Sequence, residues 1–274
     1  MNTILIPLYK IENIDEKIWM YYKKLVNINV YCIKKTKTEA KVLVIEEIVK
    51  NLRDMWVDII KKIQLLTQTG NVLYMEADTI LFKNCDEIFN YKRVLTFGIG
   101  YWNMSFKNNN EFDKFEYMNS GLVYFPKNTS FNKVDELIRE WPIEGDKKKL
   151  QMIFPNYNFN FGNRILDYSG TYWEYIVNVL YYSQFNSKKE GIKYIGEELG
   201  LWKYNYRGCL YNKYPNKNLL AKNIHHCHFL VFSSNKNKEQ RFNEILKIYN
   251  VIYSLINMDE KLEKYIRSIN DDMF

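Results

Sequence analysis

Apolar and polar positions fall along this chain in blocks whose spacing predicts an α/β order. Residues 3–8 (TILIPL) form a short apolar run ended by Pro7 and Tyr9, which predicts a buried strand running into a loop. Residues 15–26 carry Ile18, Tyr21, Tyr22 and Leu25 at helical spacing, with Asp15 as N-cap. Residues 29–33 (NVYCI) then read as a second strand. Strand, helix, strand at this spacing opens an α/β fold with a parallel sheet. From residue 39 to 66 the pattern is helical, clearest in its second half, where Met55, Ile59, Ile60, Ile63 and Leu66 share one side and Gly70 ends the run.

The stretch NVLYMEADTILF follows. Its residues 72–75 form an unbroken apolar run, the pattern of a strand covered on both faces. Glu76, Ala77 and Asp78 interrupt it, residues 79–82 resume it, and residues 85–89 read as a short turn or helix. Two more strands are expected at 94–97 and 117–125, the second stopped by Pro126. Residues 131–141 predict a helix with Val134, Leu137 and Ile138 apolar. Residues 142–170 are polar and loop-like, 172–185 predict a helix, and 223–232 (NIHHCHFLVF) a strand. Amphipathic helices at 239–256 and 260–266 close the chain. No repeat, linker or break in composition divides it, so one domain over residues 1–274 is expected.

Composition narrows the classes. With 47% apolar and 26% charged residues the chain has ordinary globular usage and is neither disordered nor fibrous. No apolar run approaches the roughly eighteen residues of a membrane span. The opening MNTILIPLYK lacks the basic start and small-residue cleavage site of a signal peptide, so a soluble cytoplasmic protein is expected. The net charge of +7 is spread out, which suits an anionic nucleotide or peripheral contact with an anionic membrane surface and specifies neither. Cys32, Cys85, Cys209 and Cys227 include no C-x-x-C pair, so reduced thiols are expected rather than a zinc knuckle or disulfide framework. Histidine is the sharper count: there are 3, all inside His225-His226-Cys227-His228.

Two clusters carry chemistry. On an extended chain Glu76 and Asp78 point to the same side, at the carboxyl end of a parallel strand, where ligands bind in open α/β folds. Two hard carboxylates suit Mg²⁺ or Mn²⁺, which can bridge a diphosphate. An acid-x-acid triplet alone fits a solvated strand end as well; its position after V-L-Y-M raises it. In the second cluster, His226 and His228 share one face of an extended segment and His225 and Cys227 the other. Imidazole binds the same transition metals, and the concentration of all histidine at one spot favours a ligand role.

The run QLLTQTGNVLYMEADTILFKNCDEIF resembles the segment that carries the D-x-D motif in nucleotide-sugar glycosyltransferases of the GT-A fold, especially the glycogenin-like and retaining galactosyltransferase-like enzymes. Met118-Asn119-Ser120-Gly121-Leu122-Val123 resembles their N-S-G strand. The resemblance covers roughly residues 1–130 and beyond them rests on the histidine cluster and Trp173-Glu174. It implies a mixed, mainly parallel sheet flanked by helices, with a nucleotide-binding half at 1–115 and an acceptor-side half at 116–274. It also implies transfer of a hexose or similar sugar from a nucleotide-diphosphate donor, UDP being the expected carrier, to a hydroxyl of a glycan or protein acceptor, with retention of configuration.

The same resemblance distributes the roles. Asp78 is the principal ligand of Mn²⁺ or Mg²⁺ and lies close to the ribose or phosphate, and Glu76 fills the first acidic position, where Asp is commoner. His226 or His228 supplies a further metal ligand, the other touching the diphosphate. Pro7, Leu8 and Tyr9, in the loop after the first strand, join Ala77 at the nucleotide, Tyr9 either stacking on the base or packing on a helix. Asn119 sits by the reacting centre, and Glu174 lies near donor or acceptor hydroxyls, a place that helix N-terminal charge explains equally well. The divalent ion offsets charge on the departing nucleoside diphosphate.

Two other classes fit less. A nucleic-acid-binding protein would use the basic excess and the aromatics, but no basic cluster is interleaved with aromatics, and Glu76-Ala77-Asp78 would be unexplained. A metal-dependent nucleotidyltransferase of related architecture ranks second; residues 7–13 contain no glycine where such enzymes carry a Gly-rich loop.

Overall fold

A computed structural model describes residues 1–14, 16–77, 79–81, 83–97, 120–139, 168–194, 205–206, 226–228 and 264. The elements in chain order are β1 (Asn2–Ile11), α1 (Glu16–Lys35), β2 (Lys41–Val49), α2 (Leu52–Thr69), β3 (Asn71–Met75), β4 (Thr79–Leu81), a 3₁₀ turn (Asp86–Asn90), β5 (Leu95–Thr96), β6 (Leu122–Phe125), α3 (Asn132–Arg139), α4 (Tyr168–Tyr182), α5 (Lys188–Lys193), β7 (Asn205–Tyr206) and β8 (His226–His228). For β7 and β8 the description is of backbone only.

The central sheet runs β2-β1-β3-β6-β5. β1 is parallel to both β2 and β3, while β6 is antiparallel to β3 and to β5, so the sheet is mixed with β6 alone reversed. A smaller sheet, β4-β8-β7, lies beside it.

The apolar run in β3 explains the layering. Val72, Leu73, Tyr74 and Met75 are all fully buried. Val72 and Tyr74 enter one core with Leu5, Val123, Phe125, Trp56 and Ile60 of α2 and Val177 of α4. Leu73 and Met75 enter the opposite core with Ile4, Ile6, Tyr124, Trp19 and Val26 of α1 and Leu81 of β4. Burying each such side chain is worth roughly 1.5–3 kcal/mol. Neither face can be left to water, and helices cover both.

Four boundaries differ from the sequence reading. Residues 29–33 are not a strand but the last part of α1: Leu25, Val26, Asn29, Cys32 and Ile33 are buried at spacings of three and four, a helical stripe that the short β-branched run conceals. The second strand is instead β2, where a helix was expected from residue 39; as an edge strand it keeps Glu46 and Glu47 at the surface and loses the apolar continuity of its neighbours. The helix proper begins only after Asn51, whose side chain accepts the Asp54 N–H at 2.9 Å. α4 starts at Tyr168 rather than 172.

β1 also continues through Pro7 to Ile11 instead of ending there, so Pro7, Leu8 and Tyr9 are strand residues, not loop residues. Glu12 N–H points to Val49 in β2, and the Met1 carbonyl accepts from Asn71 at the start of β3. By alternation the odd residues of β1 aim their backbone groups toward β3, whose pairing stops at Leu5. The nitrogen of Pro7 therefore faces a side with no ladder, and its missing N–H costs no bond there. Asp15, the polar stretch 142–167 and the expected closing helices, apart from the helical Lys264, lie outside the described residues.

Gly70 joins α2 directly to β3. Its N–H donates to the Leu66 carbonyl at 3.0 Å, and its backbone is extended, so no special conformation calls for glycine. Space does: a Cβ there would sit 1.8 Å from the carbonyl oxygen of Met1, which the neighbouring Asn71 N–H already holds at 3.1 Å. Gly70→Ala should lower stability by about 1–3 kcal/mol through forced displacement of Met1, just before β1. A urea midpoint equal to wild type would show that the junction yields without cost.

Candidate functional site

The layering also decides where a ligand can enter. α1 connects β1 to β2 across one face and α2 connects β2 to β3 across the other, so the chain changes face between β1 and β3. In open α/β sheets a crevice forms at such a switch point, outside the carboxyl ends of the strands. Glu76, the residue after Met75 at the carboxyl end of β3, stands there.

The chain turns after β3 rather than running on extended from Glu76: Thr79 N–H donates to the Glu76 carbonyl at 2.9 Å, and Ala77 is buried in the core with Met75 and Leu81. Gly121 pins this turn from outside: its carbonyl accepts the Glu76 N–H at 2.9 Å and the Thr79 hydroxyl at 3.0 Å. The acidic turn and the glycine of the N-S-G segment are thus in direct contact. Asp78 and Asn119 lie outside the described residues, although each adjoins one that is buried, Ala77 and Ser120.

The histidine segment arrives by strand pairing. β8 runs antiparallel to β4 in the register Thr79↔His228, Ile80↔Cys227, Leu81↔His226, and β7 pairs in parallel with its other edge. Paired positions in such a ladder have Cα atoms about 4.5–5.5 Å apart. The backbone of His226–His228 is extended, the condition under which alternate residues share a face, and it lies along the strand that leaves the acidic turn. Among the described residues no three His, Cys, Asp or Glu side chains converge on a metal position.

Tyr9 has a different setting from the nucleotide-stacking one. Its ring belongs to the core under α2, and its hydroxyl donates to Asp58. The Lys62 ammonium donates to Asp58 Oδ2 at 2.6 Å and to Glu47, reaches the Tyr9 oxygen at 3.4 Å and lies 5.6 Å from the ring centroid. Tyr9 packs on a helix, though on α2 rather than on α1, the next helix in the chain. Leu8, 4% exposed, is buried on the opposite face of the sheet.

This clip ties the free ends of β1 and β2 to α2. Burial pushes the Asp58 carboxyl up, but the hydrogen bonds from Lys62 and Tyr9 and the charges of Lys62 and Lys61 outweigh it, leaving the carboxyl below its ordinary value. Burial likewise lowers Lys62, and its bonds to Asp58 and Glu47 more than reverse this. Tyr9 is raised by burial first, then by Asp58. Asp58 therefore stabilises the fold above its unfolded pKa and loses that contribution as pH falls through the depressed folded value; Lys62 and Tyr9 contribute below their unfolded values and lose it as pH rises through the raised ones. Asp58→Asn should cost about 1 kcal/mol at neutral pH. The gap to wild type should narrow only below about pH 4, as urea titrations across pH 3 to 8 would reveal; a constant gap would contradict the ionic account.

Glu174 lies in the second turn of α4, beyond the first turn in which the helix dipole acts, so N-terminal charge does not explain it. The residue before it docks the helix. Trp173 stacks on Trp56 of α2 at 5.2 Å between centroids and meets Tyr74 of β3 edge-on at 5.2 Å. Tyr74 is two residues from Glu76, so α4 is anchored beneath the carboxyl end of β3. The thiols of Cys32 and Cys85 are free and buried, and burial pushes both up to about 12, so both are held as thiols at neutral pH.

Sequence reasoning missed Thr79 and the Asp58–Lys62 clip. Thr79 shows in the sequence only as a hydroxyl heading the apolar run that resumes after the acidic pair. The clip shows only as an i,i+4 acid–base pair on an amphipathic helix.

No protein-family model matches this sequence, and no curated protein matches it. Solved structures similar to the chain include a glycosyltransferase involved in glycosylation of the major capsid of PBCV-1, at 10% identity over 89% of this chain and 98% of that one, with a TM-score of 0.38. The galactosyltransferase LgtC in complex with donor and acceptor sugar analogs is 10% identical over 96% of this chain and 99% of its own, with a TM-score of 0.39. The glycosyltransferase GlyE of Streptococcus pneumoniae TIGR4 is 12% identical over 98% of this chain and 64% of its own, with a TM-score of 0.38. Likenesses this weak carry no argument of their own. No helix among the described residues is long and apolar enough to cross a membrane.

Proposed function

We propose that this chain is a metal-dependent glycosyltransferase of the GT-A type, moving a sugar from a nucleotide-diphosphate donor, UDP-hexose foremost, to a hydroxyl of a glycan or protein, with retention. The observation that carries the reading is the pairing of β8 with β4, which runs His226–His228 alongside the strand leaving Glu76-Ala77-Asp78. The histidine segment, far away in sequence, pairs with the strand that directly follows the acidic triplet.

The donor set suits Mn²⁺ or Mg²⁺: carboxylates of Glu76 and Asp78, and an imidazole of His226 or His228. Bound there, such an ion supplies Lewis-acid neutralisation of the diphosphate leaving group. The chain's own residues do the rest. The Gly121 carbonyl fixes the acidic turn, and Ala77 is buried in the core. The edge of β1 beyond Leu5 offers backbone groups of Pro7 and Tyr9 to the nucleotide, while Leu8 between them turns its backbone to β2, and Tyr9 holds that edge to α2 rather than stacking on the base. Asn119, preceding the pinned Ser120-Gly121, and Glu174, on the helix anchored by Trp173, bind sugar hydroxyls.

A donor screen tests this. UDP-, GDP- and ADP-sugars with Mn²⁺ should include one that raises the melting temperature and is slowly hydrolysed. Asp78→Ala should reduce turnover by 100-fold or more, the scale on which losing a principal electrostatic contributor acts, and the double change of His226 and His228 to Ala should weaken Mn²⁺-dependent binding. Absence of any nucleotide-sugar response, or an Asp78→Ala variant as active as wild type, would sink the proposal.

A further inference from the structure

Three segments that the sequence marks out separately meet at one residue. Thr79 is fully buried, and its hydroxyl donates to the Gly121 carbonyl at 3.0 Å. Its N–H closes the acidic turn onto the Glu76 carbonyl at 2.9 Å, and its backbone pairs in register with His228. Gly121 receives the Glu76 N–H on the same oxygen, so one carbonyl is shared by the first and last residues of the turn. We propose that Thr79 is a positioning residue that locks the acidic turn, the N-S-G segment and the histidine strand into one unit. Resting on the glycosyltransferase reading, the consequence is that the hydroxyl fixes the backbone that leads out of the acidic turn relative to the backbone of β8.

The energetics single out the hydroxyl rather than the methyl. A buried hydrogen bond to a carbonyl is worth about 0.5–1.5 kcal/mol, and leaving the acceptor with one donor fewer adds a desolvation cost. Three-residue strand pairs have little stability alone, so β8 depends on how firmly β4 is held. Thr79→Val keeps the volume and β-branching while deleting the donor, and Thr79→Ser keeps the donor while deleting a methyl. A merely space-filling role would make Ser the worse variant; the positioning role makes Val the worse.

The test uses the full chain with two readouts. In amide hydrogen exchange without ligand, Thr79→Val should accelerate exchange in residues 76–81 and 226–228 while β1 and α2 keep their wild-type protection, and Thr79→Ser should stay near wild type. In titration with Mn²⁺ alone, Thr79→Val should weaken binding about 10-fold or more, the usual scale for residues that orient metal ligands, with Ser restoring most of it. Unchanged local exchange, acceleration spread evenly over the chain, Ser behaving as Val, or Mn²⁺ binding equal to wild type in Val would each overturn the proposal. If the wild-type chain binds neither Mn²⁺ nor any nucleotide sugar, the glycosyltransferase reading fails instead, and the exchange comparison alone decides whether Thr79 couples the segments.

Discussion

Burial of β3 on both faces is the constraint from which the rest of the arrangement follows. Its four core residues alternate between two separate apolar layers, so each face of the sheet needs its own cover. A parallel sheet meets that need with crossover helices, and two covered faces require α1 and α2 to lie on opposite sides. The crevice at the carboxyl ends of β1 and β3 is the geometric remainder of that requirement. Between Val72 and Met75 a polar residue would break one core or the other, and Glu76 is the first position past them where the chain turns polar.

What was readable in the chain tracks how strongly burial marked it. β3 and the inner half of α2 were legible because full burial leaves an unbroken run in one and a 3.6-residue stripe in the other. β2 was not, since an edge strand exposes half its residues and carries Glu46 and Glu47 like a helix surface. The end of α1 was misread for the opposite reason: Val30 and Ile33 raise strand propensity in a stretch whose helical form is decided by packing of Val26, Asn29 and Cys32. Pro7 seemed to end a strand because a local rule cannot know that β3 stops pairing at Leu5.

At the site, chemistry was legible and geometry was not. The acidic pair and the histidine cluster stand out by composition, and strand pairing sets the histidine backbone beside Thr79–Leu81, the strand that follows the acidic pair. The turn at Glu76 arises from hydrogen bonds to Gly121, more than forty residues away, and nothing near Glu76 in sequence announces them. Tyr9 illustrates the same limit: an aromatic at a strand end serves stacking or packing equally well until Asp58 and Lys62, contributed by a later helix, engage its hydroxyl and ring.

The crevice consequently has two walls of different origin. One is the extension of β1 and β2 past the end of β3, a parallel pair carried as far as Ile11 and Val49 and clipped to α2 by Lys62. Every part of that wall comes from the first seventy residues, so it forms with the main sheet. The other wall is β4 with β8, and it closes a connection of well over a hundred residues. Loop-closure entropy grows only logarithmically with length, so distance in sequence is not what makes this wall weak. Its weakness is brevity, three residues against three. Leu81 supplies a buried apolar anchor and Thr79 a buried polar one, both from β4. The histidine strand therefore pairs with the same short strand whose first residue holds the acidic turn, and its backbone register is set at β4 rather than by the long chain that joins them.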